Sequence, residues 1–135
     1  MVRKKIDAAK TRKITRTEKG KKRGVWLNIW LSIMLVANFI TAFSYLVFTD
    51  RVAATFPHVA VGVWYFFGLV AFANFIFVIF LFNWKKWPFY GFCMTSIVAA
   101  VMNLMIGLQF VAATFGLLGI LILYLSMKPK WKLFE

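Results

Sequence analysis

From Val25 to Met127 the chain carries a formal charge at only four positions, Asp50, Arg51, Lys85 and Lys86. A soluble globule can bury one long uncharged helix, but not several in succession, so this stretch belongs in a bilayer. The charges and turn residues cut it into four apolar runs: Val25–Phe48, Ala60–Phe82, Pro88–Ile106 and Leu108–Met127. The first has 24 residues, and at about 1.5 Å rise it reaches about 36 Å, enough to cross with some tilt. It is also longer than the h-region of a secretory signal and is followed by Thr49-Asp50-Arg51. A retained span is expected rather than a cleaved leader. Composition agrees, with 62% hydrophobic and 16% charged residues.

The expected fold is an all-α integral membrane protein with four transmembrane helices in an antiparallel up-down bundle. Residues 1–24 form a basic arm, 25–127 the membrane domain and 128–135 a basic and aromatic tail. Phe89–Met127 holds 39 residues without a charge; as one helix it would reach about 58 Å, roughly twice the hydrocarbon thickness. A hairpin is required, and Gly107-Leu108-Gln109 is the place for it. Pro57 breaks the polar segment Thr49–His58, and Pro88 suits the first turn of a helix.

Orientation follows from the basic residues. Eleven lie in residues 1–23, against only Asp7 and Glu18, a net of +9. With the arm inside, Lys85, Lys86, Lys128, Lys130 and Lys132 also fall inside, and Arg51 alone falls outside. That bias predicts both ends in the cytoplasm and a multi-pass protein of the inner (cytoplasmic) cell membrane. Trp26, Trp30, Trp84, Trp87 and Trp131 are expected as inner-interface anchors with Lys85, Lys86 and Lys130, and Trp64 as an outer one. The arm should lie against anionic lipid headgroups, where each Lys or Arg contributes about 1 kcal/mol. It has no aromatic residue before Trp26 to stack on bases, so no specific nucleic-acid partner is expected.

Within hydrocarbon, helices associate through small residues and interhelical hydrogen bonds. The third run offers Gly91, Thr95, Ala99, Asn103 and Gly107 at every fourth position, and the fourth offers Ala112, Gly116 and Gly119. These two rows are expected to meet. Asn38, Asn74 and Asn103 lie inside the runs, about 20, 13 and 22 Å from the inner ends. Each either bonds a neighbouring helix or helps line a shared polar site.

The runs contain no Asp, Glu, His, Lys or Arg. Proton-coupled carriers use an intramembrane titratable group, and membrane metalloenzymes cluster His, Cys or carboxylates. Here there is one His, His58 in the outer loop, and one Cys, Cys93 in the third run. The expectation is a non-enzymatic protein with no cofactor and no metal. Its partners would be the lipid bilayer and other membrane subunits, or further copies of itself. An accessory, assembly or structural subunit of a larger membrane complex is the first reading. A pore or transporter formed by homo-oligomerisation, lined by the asparagines with Thr41, Ser44, Thr95 and Ser96, is the second.

Leu121-Ile122-Leu123-Tyr124-Leu125, followed by Lys128-Pro129-Lys130-Trp131-Lys132-Leu133-Phe134, resembles the ends of small uncharacterised four-span prokaryotic membrane proteins. The resemblance covers the tail and implies architecture alone, since that family has no activity to transfer. The chain lacks the first-span glutamate of small multidrug exporters and the paired cysteines of disulfide-forming membrane oxidoreductases.

Overall fold

The computed structural model describes residues 2–20, 22–108 and 110–135, the side chains of 13–20 and 112 excepted. Gln109 and the side chain of Ala112 therefore lie outside the described residues. Six α-helices follow one another: α1 Val2–Gly20, α2 Val25–Val47, α3 Thr49–Thr55, α4 Val61–Phe82, α5 Trp87–Met105 and α6 Phe110–Met127. A short 3-10 helix, Lys128–Leu133, follows α6. Among the described residues there is no strand, and α2, α4 and α5 are long and apolar enough to cross a membrane.

Three elements add to the sequence expectation. Val2–Gly20 of the arm is helical as α1, and its side chains over residues 2–12 are exposed. The polar segment after α2 is also partly helical. Asp50 sits in the first turn of α3, where a carboxylate complements the free N–H groups, and Thr49 donates its hydroxyl to the carbonyl of Tyr45. After α6 ends at Met127 the chain winds on as the 3-10 helix, with Pro129 in its first turn.

α2 packs on α4, α4 on α5, α5 on α6, and α6 returns to α2 along the shortest of these four seams. Phe89 at the start of α5 lies 6.0 Å, ring to ring, from Tyr124 near the end of α6, so that pair is antiparallel. Two buried clusters close the ends of the bundle. One joins Leu27, Leu31, Val78, Leu81, Phe92, Leu123 and Met127 near the start of α2. The other joins Val59, Trp64 and Phe67, with Tyr45 and Phe56 against them, under α3.

Two turns end their helices in the same way. Gly107 has φ 73°, with Gly107 N–H donating to Leu104 and Leu108 N–H donating to Asn103. Trp84 has φ 62°, with the same pair of bonds from Trp84 to Leu81 and from Lys85 to Phe80. Both are Schellman motifs, but only glycine takes that conformation without a steric penalty. Trp84 is held there by the tail. Glu135 N–H donates to the Trp84 carbonyl (2.8 Å), Lys86 N–H donates to the Glu135 carbonyl (2.6 Å), and the Phe134 ring packs on the indole at 5.1 Å.

The expected contact between the small-residue rows of α5 and α6 is not formed. A Cβ built on Gly91 would stand 2.7 Å from the ring of Phe77, and Ala99 packs on the Trp64 cluster, so the α5 row faces α4. Gly116 and Gly119 have nothing within 4 Å of a built Cβ. The reason lies in α4: its bulky Phe77 needs a gap in the facing helix, and Gly91 supplies one. Gly68 does the same for Leu46, 2.7 Å from its built Cβ.

Thermal unfolding in detergent should therefore separate the glycines. Gly68→Ala and Gly91→Ala are expected to destabilise by about 1–3 kcal/mol through overpacking, whereas Gly116→Ala and Gly119→Ala should be neutral or gain up to about 1 kcal/mol from helix propensity. Phe134→Ala is expected to lose about 3 kcal/mol, because it empties a buried site against the Trp84 indole.

Candidate functional site: a polar cleft among four helices

Between the two apolar clusters the bundle does not close. A cavity of about 460 Å³ is lined from α2 by Trp30, Ile33, Met34, Ala37, Asn38 and Thr41. Asn74 of α4 and Phe92 and Ser96 of α5 form its back, and Phe115, Gly116, Gly119 and Ile120 its α6 side. Ile33, Ala37, Phe115 and Gly116 are all exposed, which places the mouth at the short seam between α2 and α6.

The polar groups in the cleft are only partly used by the bundle. Thr95 Oγ1 lies 2.7 Å from Asn74 Oδ1 and donates to it, the one side-chain hydrogen bond between two long apolar helices among the described residues. It engages the carbonyl side of Asn74 and leaves the amide N–H groups for the cleft. Asn38 turns back on its own helix, its Nδ2 donating to the Met34 carbonyl at 2.7 Å. That leaves its Oδ1 as an acceptor. Thr41 likewise donates to the Ala37 carbonyl. The indole Nε1 of Trp30 is covered and has no partner among the described residues. All these groups are uncharged, so the cleft can offer donors and acceptors to a neutral polar group but no ion pair. Among the described residues no three His, Cys, Asp or Glu side chains come together in a way that could hold a metal ion.

The structure thus brings Asn38 and Asn74 to one cavity, with Thr41 and Ser96, while Asn103 is not part of it. Asn103 lies in the last turn of α5, where its backbone carbonyl accepts Leu108 N–H at 2.9 Å. Asn74 bonds a neighbouring helix; Asn38 does not. Thr95 sits behind Asn74 as its partner, Gly116 and Gly119 open onto the cavity, and Gly107 stands apart in its turn.

The expected aromatic anchors divide. Trp26 and Trp87 are exposed, and Trp131 stands half-buried over Lys86, whose Nζ is 5.0 Å from its ring. Lys85 is exposed and Lys130 half-buried. Trp84 stacks on Phe134, as above. Trp64 is not an interface anchor: it is buried, with Phe56 at 5.3 Å and Tyr45 at 5.7 Å, and its Nε1 has no partner among the described residues. The segment leading from α3 into α4 folds over it. Trp30 points into the cleft rather than to a headgroup, a direction its position one turn beyond Trp26 does not disclose.

A double-mutant cycle should measure the one bond that crosses between spans. Asn74→Leu and Thr95→Val are each expected to cost about 0.6–1.7 kcal/mol in detergent, and the double variant no more than the worse single one, since the two changes remove a single interaction.

No protein family, curated protein or solved structure matches the chain, so its function is read from the cleft and the helices around it.

Proposed function

We propose that this membrane protein is a non-enzymatic accessory subunit of a larger membrane assembly, and that the cleft between α2 and α6 seats a transmembrane helix of its partner. The observation that carries this reading is the pairing of two features at one place. Among the described residues nothing lies within 4 Å of a Cβ built on Gly116 or Gly119, and beside them Asn38, Asn74 and Ser96 bring polar groups to the cavity. A helix laid on Gly116 and Gly119 gains close backbone approach. A Ser, Thr, Asn or Gln on it would complete the hydrogen bonds, and small residues and polar side chains are the two means by which membrane helices associate.

In this reading α6 is a fourth span. It has 18 residues and no charge, about 27 Å long and close to the hydrocarbon thickness. Sixteen of the seventeen basic residues then face the cytoplasm, together with both ends of the span set. Arg23, the Trp84 turn and the Phe134–Glu135 tail meet at one end of the bundle, which supports a shared side for them. The arm lies on the anionic leaflet, held by its charge alone.

The pore reading draws on the same lining residues. From Trp30 to Thr41 the cleft covers eleven steps of α2, about 16 Å, roughly half the membrane. Apolar clusters stop it at either end. A conducting path therefore needs several copies.

Purification of the full chain in mild detergent tests the choice. Stoichiometric co-migration with another membrane polypeptide is expected, and Gly119→Leu should abolish it while the bundle keeps its melting temperature. A homogeneous self-oligomer that passes solute in liposomes would overturn the subunit reading.

A further inference from the structure

Arg23 differs from the rest of the basic arm in having a built environment. Its guanidinium carbon lies 5.1 Å from the centroid of Phe82 and 5.4 Å from that of Trp84. The end of α4 and the strained turn after it thus fix the cation at the foot of α2. One of its nitrogens, Nη1, is covered and has no partner among the described residues. A positive charge held in partial burial without a matching acceptor is unfavourable, and an anion beside it relieves that.

A groove of about 420 Å³ opens at this point, lined by Arg23, Val25, Asn28, Ile29, Ser32 and Ile33. Its chemistry changes along the helix. The cation comes first, then the exposed amide of Asn28, then Ser32, whose hydroxyl donates to the Asn28 carbonyl at 2.9 Å. From Ser32 and Ile33 a second depression continues past Val36 and Ala37 to Ile40, with no polar side chain beyond Ser32. Asn28 to Ile40 is twelve steps of helix, about 18 Å, close to the depth of one leaflet.

We propose that this groove holds one anionic phospholipid. The phosphodiester rests against the Arg23 guanidinium and the Asn28 amide, the ester region lies at Ser32, and one acyl chain follows Ile33, Val36 and Ile40. Arg suits the phosphate because its planar fork can donate two parallel hydrogen bonds. A free phosphate ion would use only the first part of the groove and has no use for the apolar track. The site does not depend on the cleft receiving a partner helix, although Ile33 and Ala37 border both.

Native mass spectrometry of the full chain in detergent, titrated with phosphatidylglycerol, phosphatidylcholine or inorganic phosphate, tests this. One phosphatidylglycerol should be retained per chain, at an affinity about tenfold above that for phosphatidylcholine. Arg23→Gln should remove that preference. Lys22→Gln, which deletes the same charge from an exposed neighbour, should leave it. Val36→Ser, at an exposed position of the track, should weaken retention of the long-chain lipid and spare a short-chain one; this decides the matter even if Arg23→Gln fails to fold. Equal loss in the Lys22 and Arg23 variants would reduce the effect to the general charge of the arm. Displacement of the lipid by millimolar phosphate would reduce it to an anion site. Indifference to Val36→Ser would remove the acyl track. Any of these results overturns the proposal.

Discussion

Apolar helices in hydrocarbon gain nothing by exchanging lipid for one another's side chains, so this bundle depends on the few places where a backbone can come close or a polar group can cross. Gly68 lets α2 approach α4 through Leu46, and Gly91 lets α4 approach α5 through Phe77. The Thr95–Asn74 bond lies one turn beyond Gly91 on the same seam and fixes the rotation of α5 about its axis. With those three contacts set, the remaining apolar surface is free to face lipid. That is why large side chains such as Phe72, Leu69, Met94 and Leu121 stand exposed without penalty.

The end of the bundle at Trp84 is built on a different principle. The turn at Trp84 adopts a conformation that costs a non-glycine residue about 1–3 kcal/mol, and it persists because three neighbours need it. Arg23 stacks on its indole, Phe134 packs against the ring, and its carbonyl accepts from Glu135. The foot of α2, the α4–α5 turn and the tail are thereby joined through one residue. At the opposite end, Gly107 makes the same turn without strain, and among the described residues nothing lies within 4 Å of a Cβ built there. Among the described non-glycine residues, the left-handed conformation occurs only at the junction that holds separate segments together.

The helices were legible from the sequence because hydropathy and charge act locally. Val25–Val47, Val61–Phe82 and Trp87–Met105 begin and end within one residue of the apolar runs. The partners of those helices were not legible. Spacing by four places Gly91, Thr95 and Ala99 on one face of α5, but the neighbour that face meets depends on which helix brings a side chain needing the gap. Phe77 on α4 does, and nothing in the α5 sequence says so. Trp64 is misleading for a related reason. Its position near a span end suits an interface anchor, and only the fold of the segment after α3, which lays Phe56 over it, turns it inward. The cleft was half legible: three intramembrane asparagines pointed to a polar site, but their depth along each span does not disclose that Asn103 stands outside the cavity that Asn38 and Asn74 line.

The glycines of the chain then divide into those used within the bundle and those that are not. A glycine inside a helix costs about 0.5–1 kcal/mol relative to alanine. At Gly68 and Gly91 the return is visible as a side chain seated where a methyl group would stand. At Gly116 and Gly119 no atom of the described residues occupies that space, and the cavity next to them is lined by amide and hydroxyl groups that the four helices leave partly unbonded. Lipid chains gain little from a missing methyl and can bond none of those groups. A polypeptide helix gains from both. The same place in the fold therefore combines two local costs that only an occupant with a close-fitting backbone and a neutral polar side chain would offset together.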